Sequence, residues 1–416
     1  MSIEGFDEPP TARPQSSAFK LSDHCLICFS HLRWDLVFQR PQHLMTRFAQ
    51  LIPVFFIEEA AFEGQEPPHL KRYTAADNLS IFVPHLPEGL PPAAAASAQR
   101  RLVAGLLRDA RIRSPLAWYY TPMALQFSDG VDAAVTVYDC MDELSAFQDA
   151  PPELRRLETE LLARTDLVFT GGMSLYEAKR ACHPNVHAFP SAVDAEHFGK
   201  ARARLPDPLD QTEIPRPRLG FFGVVDERLD RELLAAVARL RPDWHLVIVG
   251  PVVKIDPASL PQAANIHYLG GKPYGDLPAY IANWDIAVMP FARNAATRFI
   301  SPTKTPEYLA GGKPVVSTPV IDVVRRWGHL DAVGIAETPA DFVAKSCAAL
   351  ALPASGRSWL DAVDRELAGI SWDRTWAEMA TLVAQAGNER GNIRSNSEPH
   401  YCDQGEAPKM VSRIAL

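Results

Sequence analysis

Two sets of short, fully apolar runs alternate with helix-patterned segments, and one proline-rich stretch separates the sets. That arrangement limits the possible folds more than any other feature of the chain. Cys25–Ser30 (CLICFS), Val54–Ile57, Leu79–Pro84, Leu116–Tyr120, Ala133–Tyr138 and Asp166–Thr170 make up the first set. Each has strand length and is apolar at successive positions, as a strand covered on both faces must be. Between them fall helical segments. Pro41–Leu51 has Pro41 at a suitable first position and Leu44, Met45, Phe48 and Leu51 on one stripe. Further helices are expected over about 93–112 and over Glu153–Arg164. Leu205–Arg218 (LPDPLDQTEIPRPR) then breaks the pattern with four prolines and reads as an interdomain linker. Beyond it the alternation restarts. Strands are expected at Leu219–Val225, His245–Val249, Ile266–Tyr268, Ile286–Met289 and Pro314–Ser317. Helices are expected at Arg231–Leu240, Leu277–Ala282 and Pro302–Ala310. The reading is α/β: two Rossmann-like parallel-sheet domains over 21–204 and 219–354, joined by 205–218. A last amphipathic helix, Trp372–Ala386, carries Trp376, Met379, Leu382 and Val383 on one side. The polar segments 1–20 and 388–416 are expected to be disordered.

Composition agrees with a globular enzyme-sized chain. Its 416 residues suit two domains, and 47% apolar with 22% charged residues excludes disorder of the whole. With 42 Lys+Arg against 50 Asp+Glu, the net charge of −8 argues against a dedicated nucleic-acid binder. No apolar run approaches the ~20 residues of a membrane span. The first residues, MSIEGFDEPP, lack the apolar core of a secretory signal. With six cysteines in so long a chain, the expectation is a reduced, cytoplasmic protein. Cys25-x-x-Cys28 lies within a strand, where the two thiols point to opposite faces, and has no second pair, so it is not read as a metal or redox motif. The sequon Asn78-Leu79-Ser80 has no role without secretion.

The most informative segment is Ile300–Thr318, ISPTKTPEYLAGGKPVVST. Ser301 suits a helix N-cap, Pro302 a first position, and Gly311 a helix end. Lys304 then falls in the first turn, where the helix dipole disfavours a cation. It makes sense there if a phosphate shares the site. Glu307, three residues on, lies on the same face. A cation for phosphates and a carboxylate for sugar hydroxyls, one turn apart, suit a nucleoside diphosphate. The alternative is a capped surface helix with an ion pair.

K-x-x-E-Y-L-A-G-G-K-P-V-V resembles the donor-binding helix of GT-B-fold glycosyltransferases of the glycogen-synthase-like, group 1 clan. Glu307 matches the second glutamate of that clan's E-x7-E motif, whose role is to hold ribose hydroxyls; the first would fall at Phe299. The resemblance extends, less sharply, over about 24–385. It implies two domains facing across a cleft, the donor on the second and the acceptor on the first, with helices over 355–387 crossing back. Leu219–Asp230 (LGFFGVVDERLD) is similar to the first strand and loop of the donor domain, where Gly223 allows close backbone approach. Arg228 matches the arginine placed on the diphosphate, or else pairs with Asp226 or Glu227. Tyr268–Tyr274 (YLGGKPY) resembles the loop that reads the base, with Lys272, Pro273 and Tyr274 in contact. Ser301 and Thr303 complete the donor set. Phe189–Phe198 resembles the stretch closing the first domain, with Asp194 as a cap.

In the first domain, W-D-x-x-x-Q-R-P-Q-H resembles glycosyltransferases of bacterial cell-surface polysaccharide assembly. The absence of G-x-G-x-x-G argues against a dinucleotide oxidoreductase. His31, Arg33, Trp34 and Arg40, at the ligand edge of a parallel sheet, are acceptor-side candidates. Tyr138 takes the position of a clan histidine near the sugar. Asp139, Asp142, Glu143 and His31 are candidate bases if configuration inverts. The implied function is transfer of a sugar from a nucleoside-diphosphate sugar, the co-substrate, to a saccharide or lipid-linked acceptor. No cofactor and no metal are required by that reading, because Arg228 and Lys304 stand in for a metal. A lipid-linked acceptor would bring peripheral contact with the inner membrane face. A nucleotide-sugar epimerase of the same fold, or a catalytically silent fold-mate, are the alternatives.

Overall fold

The computed structural model describes residues 18–397, with side chains to 391. Residues 1–17 and 398–416, which make up most of the segments expected to be disordered, lie outside the described residues.

The first sheet contains β1 (Leu26–Phe29), β2 (Val54–Ile57), β3 (Ala61–Phe62), β4 (His69–Ala76), β5 (Leu79–Leu86), β6 (Leu116–Tyr119), β7 (Val135–Cys140), β8 (Leu167–Thr170) and β9 (Val186–Ala188). Its order is β3-β5-β2-β1-β6-β7-β8-β9, with β4 antiparallel on β5 and the other pairings parallel. The helices α1 (Arg40–Ala49), α2 (Pro92–Asp109), α3 (Leu154–Arg164) and α4 (Met173–Lys179) lie between strands. In β1, Leu26 and Cys28 join a core with Phe48 of α1, while Ile27 and Phe29 join another with Leu161 of α3. Covering on both faces is why the run is apolar without alternation. β4 had no such signal: HLKRYTAA is exposed along most of its length.

After α5 (Ala195–Gly199), the second sheet is built from β10 (Arg218–Phe222), α6 (Arg231–Leu240), β11 (His245–Val249), β12 (Ile266–Tyr268), α7 (Leu277–Ala282), β13 (Ile286–Met289), α8 (Lys304–Ala310), β14 (Val315–Ser317), α9 (Ile321–Trp327), β15 (Val333–Ile335) and α10 (Pro339–Ala351). Its strands are parallel in the order β12-β11-β10-β13-β14-β15. α6 follows its sequence signals closely. Asp230 accepts from the Leu233 amide at 2.9 Å, and Leu233, Leu234, Val237 and Ala238 bury one stripe.

Two domain expectations change. The chain passes from one core to the other at Ala192 and Val193, before the stretch read as a linker. That stretch packs on the second domain instead. Gln211 accepts from the Trp284 indole at 2.8 Å, Tyr280 donates to Asp210 at 2.7 Å, and Arg218 pairs with Asp207 at 2.6 Å. Four prolines stop a helix or strand from forming, but they do not stop side chains from docking. At the other end, α11 (Ser358–Leu367) buries Trp359, Val363 and Leu367 in the second core. Only α12 (Trp372–Ser397) crosses back, placing Trp372, Met379, Val383 and Ala386 on the first core. α12 also runs past Ala386 into the stretch expected to be disordered. Its polar extension is tied down: Asn388 accepts from the Phe19 amide at 2.8 Å, and Arg390 pairs with Asp166 at 2.6 Å.

Candidate active site

The loop that follows β1 and the C-terminal ends of β10 and β11 line one cavity of about 590 Å³ between the domains. The first domain contributes the loop Trp34–Gln39. The second contributes Phe222–Gly223, Val249–Pro251, Gly271–Tyr274, Leu277, Thr303, Lys304 and Glu307. The structure therefore brings Gly223, Lys272, Pro273, Tyr274, Thr303, Lys304 and Glu307 to one place, and Trp34 faces them.

The first-domain loop is held by a residue that the sequence reading did not single out. Glu58, buried at the end of β2, accepts from the Trp34 amide at 2.8 Å and pairs with Arg33 at 3.0 Å. A charge ending an apolar strand at the ligand edge was the available signal. Trp34 packs edge-on against Phe56 at 5.0 Å, which fixes the loop's start. Phe38 reaches the Tyr274 ring at 4.6 Å across the cleft. Tyr274 stacks on His197 at 4.3 Å, and its buried hydroxyl has no hydrogen-bond partner among the described residues. Lys272 pairs with Asp210 at 2.6 Å.

Gly223 ends β10 at φ 141°, in a region side chains avoid. A Cβ there would stand 2.1 Å from Lys304 Cε, so the glycine is what lets the lysine lie against the strand end. Lys304 opens α8 after Thr303, not after Ser301 as expected. The Ser301 carbonyl is instead taken by the Ser191 hydroxyl at 2.7 Å, and Ser301 faces away from this cavity. Burial lowers the Lys304 pKa, while Glu307 partly restores it. Glu307 is 5% exposed and accepts from the Thr303 hydroxyl at 3.2 Å. Burial pushes its pKa up to about 7, against the pull of Lys304.

Arg228 pairs with Asp226 at 2.7 Å, the local pairing weighed from the sequence, and its guanidinium lies 5.5 Å from the Phe147 ring of the first domain. The adjoining Glu227 accepts from the Gln148 amide at 2.9 Å. Asp142, from the first domain, lies within electrostatic reach of both Arg228 and Lys304. Burial raises its pKa and these two cations lower it. Cations of the second domain and a carboxylate of the first therefore meet beside the cavity. His31 also faces this boundary. Burial, with Lys254 of the second domain, lowers its pKa to about 4, so the ring is neutral near pH 7. Its Nδ1 is buried without a hydrogen-bond partner among the described residues.

Four expected site residues belong to the scaffold. Asp139 is 0% exposed and is gripped by Arg40, with Nε 3.0 Å from both carboxylate oxygens. Arg40 also donates to the Phe189 carbonyl at 2.8 Å. The pair ties α1 to β7 and to the end of the first domain, so neither group is open to a substrate. Tyr138 points to the other side of β7, donating to Glu158 at 2.9 Å. Its neighbour Asp139 lies on the opposite face of β7, the one covered by α1. Glu143 is drawn to Lys179 at 2.7 Å. Asp194 caps α5, accepting from the His197 amide at 3.0 Å. Among the described residues no group of three or more His, Cys, Asp or Glu is placed to hold a metal ion, and no helix is long and apolar enough to cross a membrane.

Two facing parallel-sheet domains with the cleft at their strand ends define a GT-B fold. The comparisons agree. Residues 216–351 match the family described as glycosyl transferases group 1. A Bacillus subtilis (strain 168) protein described as the teichuronic acid biosynthesis glycosyltransferase TuaH is 27% identical over 217 residues, 48% of this chain and 54% of its own length. The chain thus matches about half the length of that curated relative. Sucrose-phosphate synthase from Thermosynechococcus elongatus superposes with a TM-score of 0.65 at 13% identity, over 87% of this chain and 98% of that one. WaaG, a glycosyltransferase involved in lipopolysaccharide biosynthesis, does so with a TM-score of 0.58 at 14% identity, over 86% and 99%. The fold of this chain is GT-B, and residues 216–351 of its second domain match the glycosyl transferases group 1 family.

Proposed function

We propose that the protein transfers a sugar from a nucleoside-diphosphate sugar to a saccharide or lipid-linked acceptor in surface polysaccharide biosynthesis. The observation that carries this reading is that Lys304 and Glu307 line the cavity together, with Arg228 within electrostatic reach of Lys304. Lys304 and Arg228 bind the diphosphate and Glu307 the ribose hydroxyls, while the Tyr274 side lies nearer the base. The bond from the sugar's anomeric carbon to the diphosphate oxygen breaks, and one to the acceptor oxygen forms. The acceptor hydroxyl loses its proton. Charge grows on the leaving diphosphate, where two fixed cations stabilise it most, and they take the part a metal would otherwise play. If the reaction inverts configuration, Asp142, within electrostatic reach of Lys304 and Arg228, and His31 are the candidates to take the acceptor proton. The match of the second domain to a glycosyl transferase family and the likeness to TuaH support transfer over epimerisation.

Incubation with UDP-, GDP-, ADP- and TDP-sugars tests the reading. One class should release its nucleoside diphosphate, faster when a cell-envelope saccharide extract is added. No release from any donor, with or without extract, contradicts it.

Glu307 supplies a pH test. Its pKa of about 7 means that it is largely neutral at pH 6 and ionised at pH 8. The ionised carboxylate accepts two ribose hydroxyls. Nucleoside diphosphate affinity should therefore rise between pH 6 and 8 more steeply in the wild type than in Glu307→Gln. Equal slopes in calorimetry would remove Glu307 from the ribose.

A further inference from the structure

The segment that delivers Lys304 to the donor cavity belongs to the second domain by sequence, yet it is docked on the first. Phe299 packs against the first-domain core that holds Ile27, Phe29 and Leu175. Two residues on, the Ser301 carbonyl accepts from the Ser191 hydroxyl of the interdomain crossing at 2.7 Å. Ser301 Cβ stands so near Gly172, at the start of α4, that a Cβ on the glycine would meet it at 2.7 Å. The same imagined Cβ would meet an Asp322 oxygen at 2.2 Å. Asp322, from α9, accepts from the Ser174 amide at 3.0 Å, so a second-domain carboxylate holds the first turn of a first-domain helix.

Space around this segment makes those anchors matter. Ser301, Pro302 and Pro306 wall a cavity of about 550 Å³ on the side away from the donor, together with Phe189, Ser191 and Asp322. Thr303, Lys304 and Glu307 wall the donor cavity on the other side. The turn Ser301–Thr303 runs between these two open volumes, while Ile300 before it and Thr305 after it are buried in the second domain. Pro302 and Pro306 have no amide hydrogen to offer. The turn that leads into Lys304 thus takes part of its support from contacts made by the other domain.

We propose that Ser191 and Gly172 are positioning residues that set the donor-binding turn from the first domain, so that nucleoside diphosphate affinity depends on how the domains are docked. This rests on the donor reading of Lys304 and Glu307, but half of its test does not. A single hydrogen bond of this kind is worth about 3- to 10-fold in affinity. Ser191→Ala should weaken binding of the nucleoside diphosphate favoured by the wild type by that factor, with little change in thermal midpoint. Ser191→Thr, which keeps the hydroxyl, should restore it. In the ligand-free proteins, amide hydrogen exchange across residues 301–307 should be faster in Ser191→Ala than in the wild type or Ser191→Thr. Unchanged exchange overturns the proposal whatever binds. So does an affinity loss that merely tracks a lower thermal midpoint. If the wild type binds no nucleoside diphosphate, the donor reading falls, and the exchange measurement still decides whether Ser191 holds the turn.

Discussion

Lys304→Met is expected to lower turnover by roughly 10²–10³-fold, the usual cost of losing one fixed donor at a developing oxyanion. Nucleoside diphosphate affinity should fall by about 10- to 100-fold, because a hydrogen bond to a charged group carries ~1.5–3 kcal/mol. Affinity for the free nucleoside should barely change. The reason is specific to the setting. Lys304 lies against Gly223, where no side chain intervenes, and its charge faces Asp142, Asp226 and Glu307. A diphosphate adds negative charge at this point. With methionine, Arg228 alone must balance it, while Arg228 is already shared with Asp226. Methionine keeps the apolar stem packed, so the folded state should survive. Equal losses for nucleoside and nucleoside diphosphate would show a collapsed site instead.

The largest effect on stability is expected at Arg40. Removing one partner of a buried ion pair strands the other, at a cost of about 3–5 kcal/mol. In Arg40→Met, Asp139 would remain 0% exposed without its guanidinium. For a domain of this size that corresponds to a fall of roughly 10 °C in the midpoint of the first domain. The loss has a direction in pH. Burial already raises the Asp139 pKa, with Arg40 opposing it, so removing Arg40 raises it further. A neutral carboxyl is cheaper to bury, so the variant should lie closest to the wild type at low pH and diverge as pH rises. Asp139→Asn in the same background should recover part of the loss, since it removes the stranded charge. Thermal unfolding at pH 5 and pH 8 checks both points; a variant as stable as the wild type at pH 8 would contradict the pair's structural role.

The two cores were legible because parallel strands covered on both faces must be apolar throughout, as in CLICFS and HLVIV. Glu307 and Lys304 were legible because a cation in a first helical turn is otherwise unfavourable. Arg40 and Asp139 were misread for an equally physical reason. Their positions at the ligand edge of a sheet were right, but depth is not written in sequence, and a side chain at that edge can point down as well as out. The pairing partner lies ninety-nine positions away, so only the fold reveals that the two charges serve each other. Ser301 was a sound N-cap by type, yet the Ser191 hydroxyl claims its carbonyl from another domain. The exposed β4 lacked any apolar pattern, and the docked proline-rich stretch lacked any period. Both fall outside what periodicity can detect.

Calorimetric titration of the wild type and Lys304→Met with UDP, GDP, ADP, TDP and NAD bears most directly on the central claim, that this cleft holds a nucleoside diphosphate through Lys304. The expected result is selective binding of one nucleoside diphosphate by the wild type, weakened by about 10-fold or more in the variant. Binding of NAD alone, binding that does not depend on Lys304, or no binding by the wild type would contradict it.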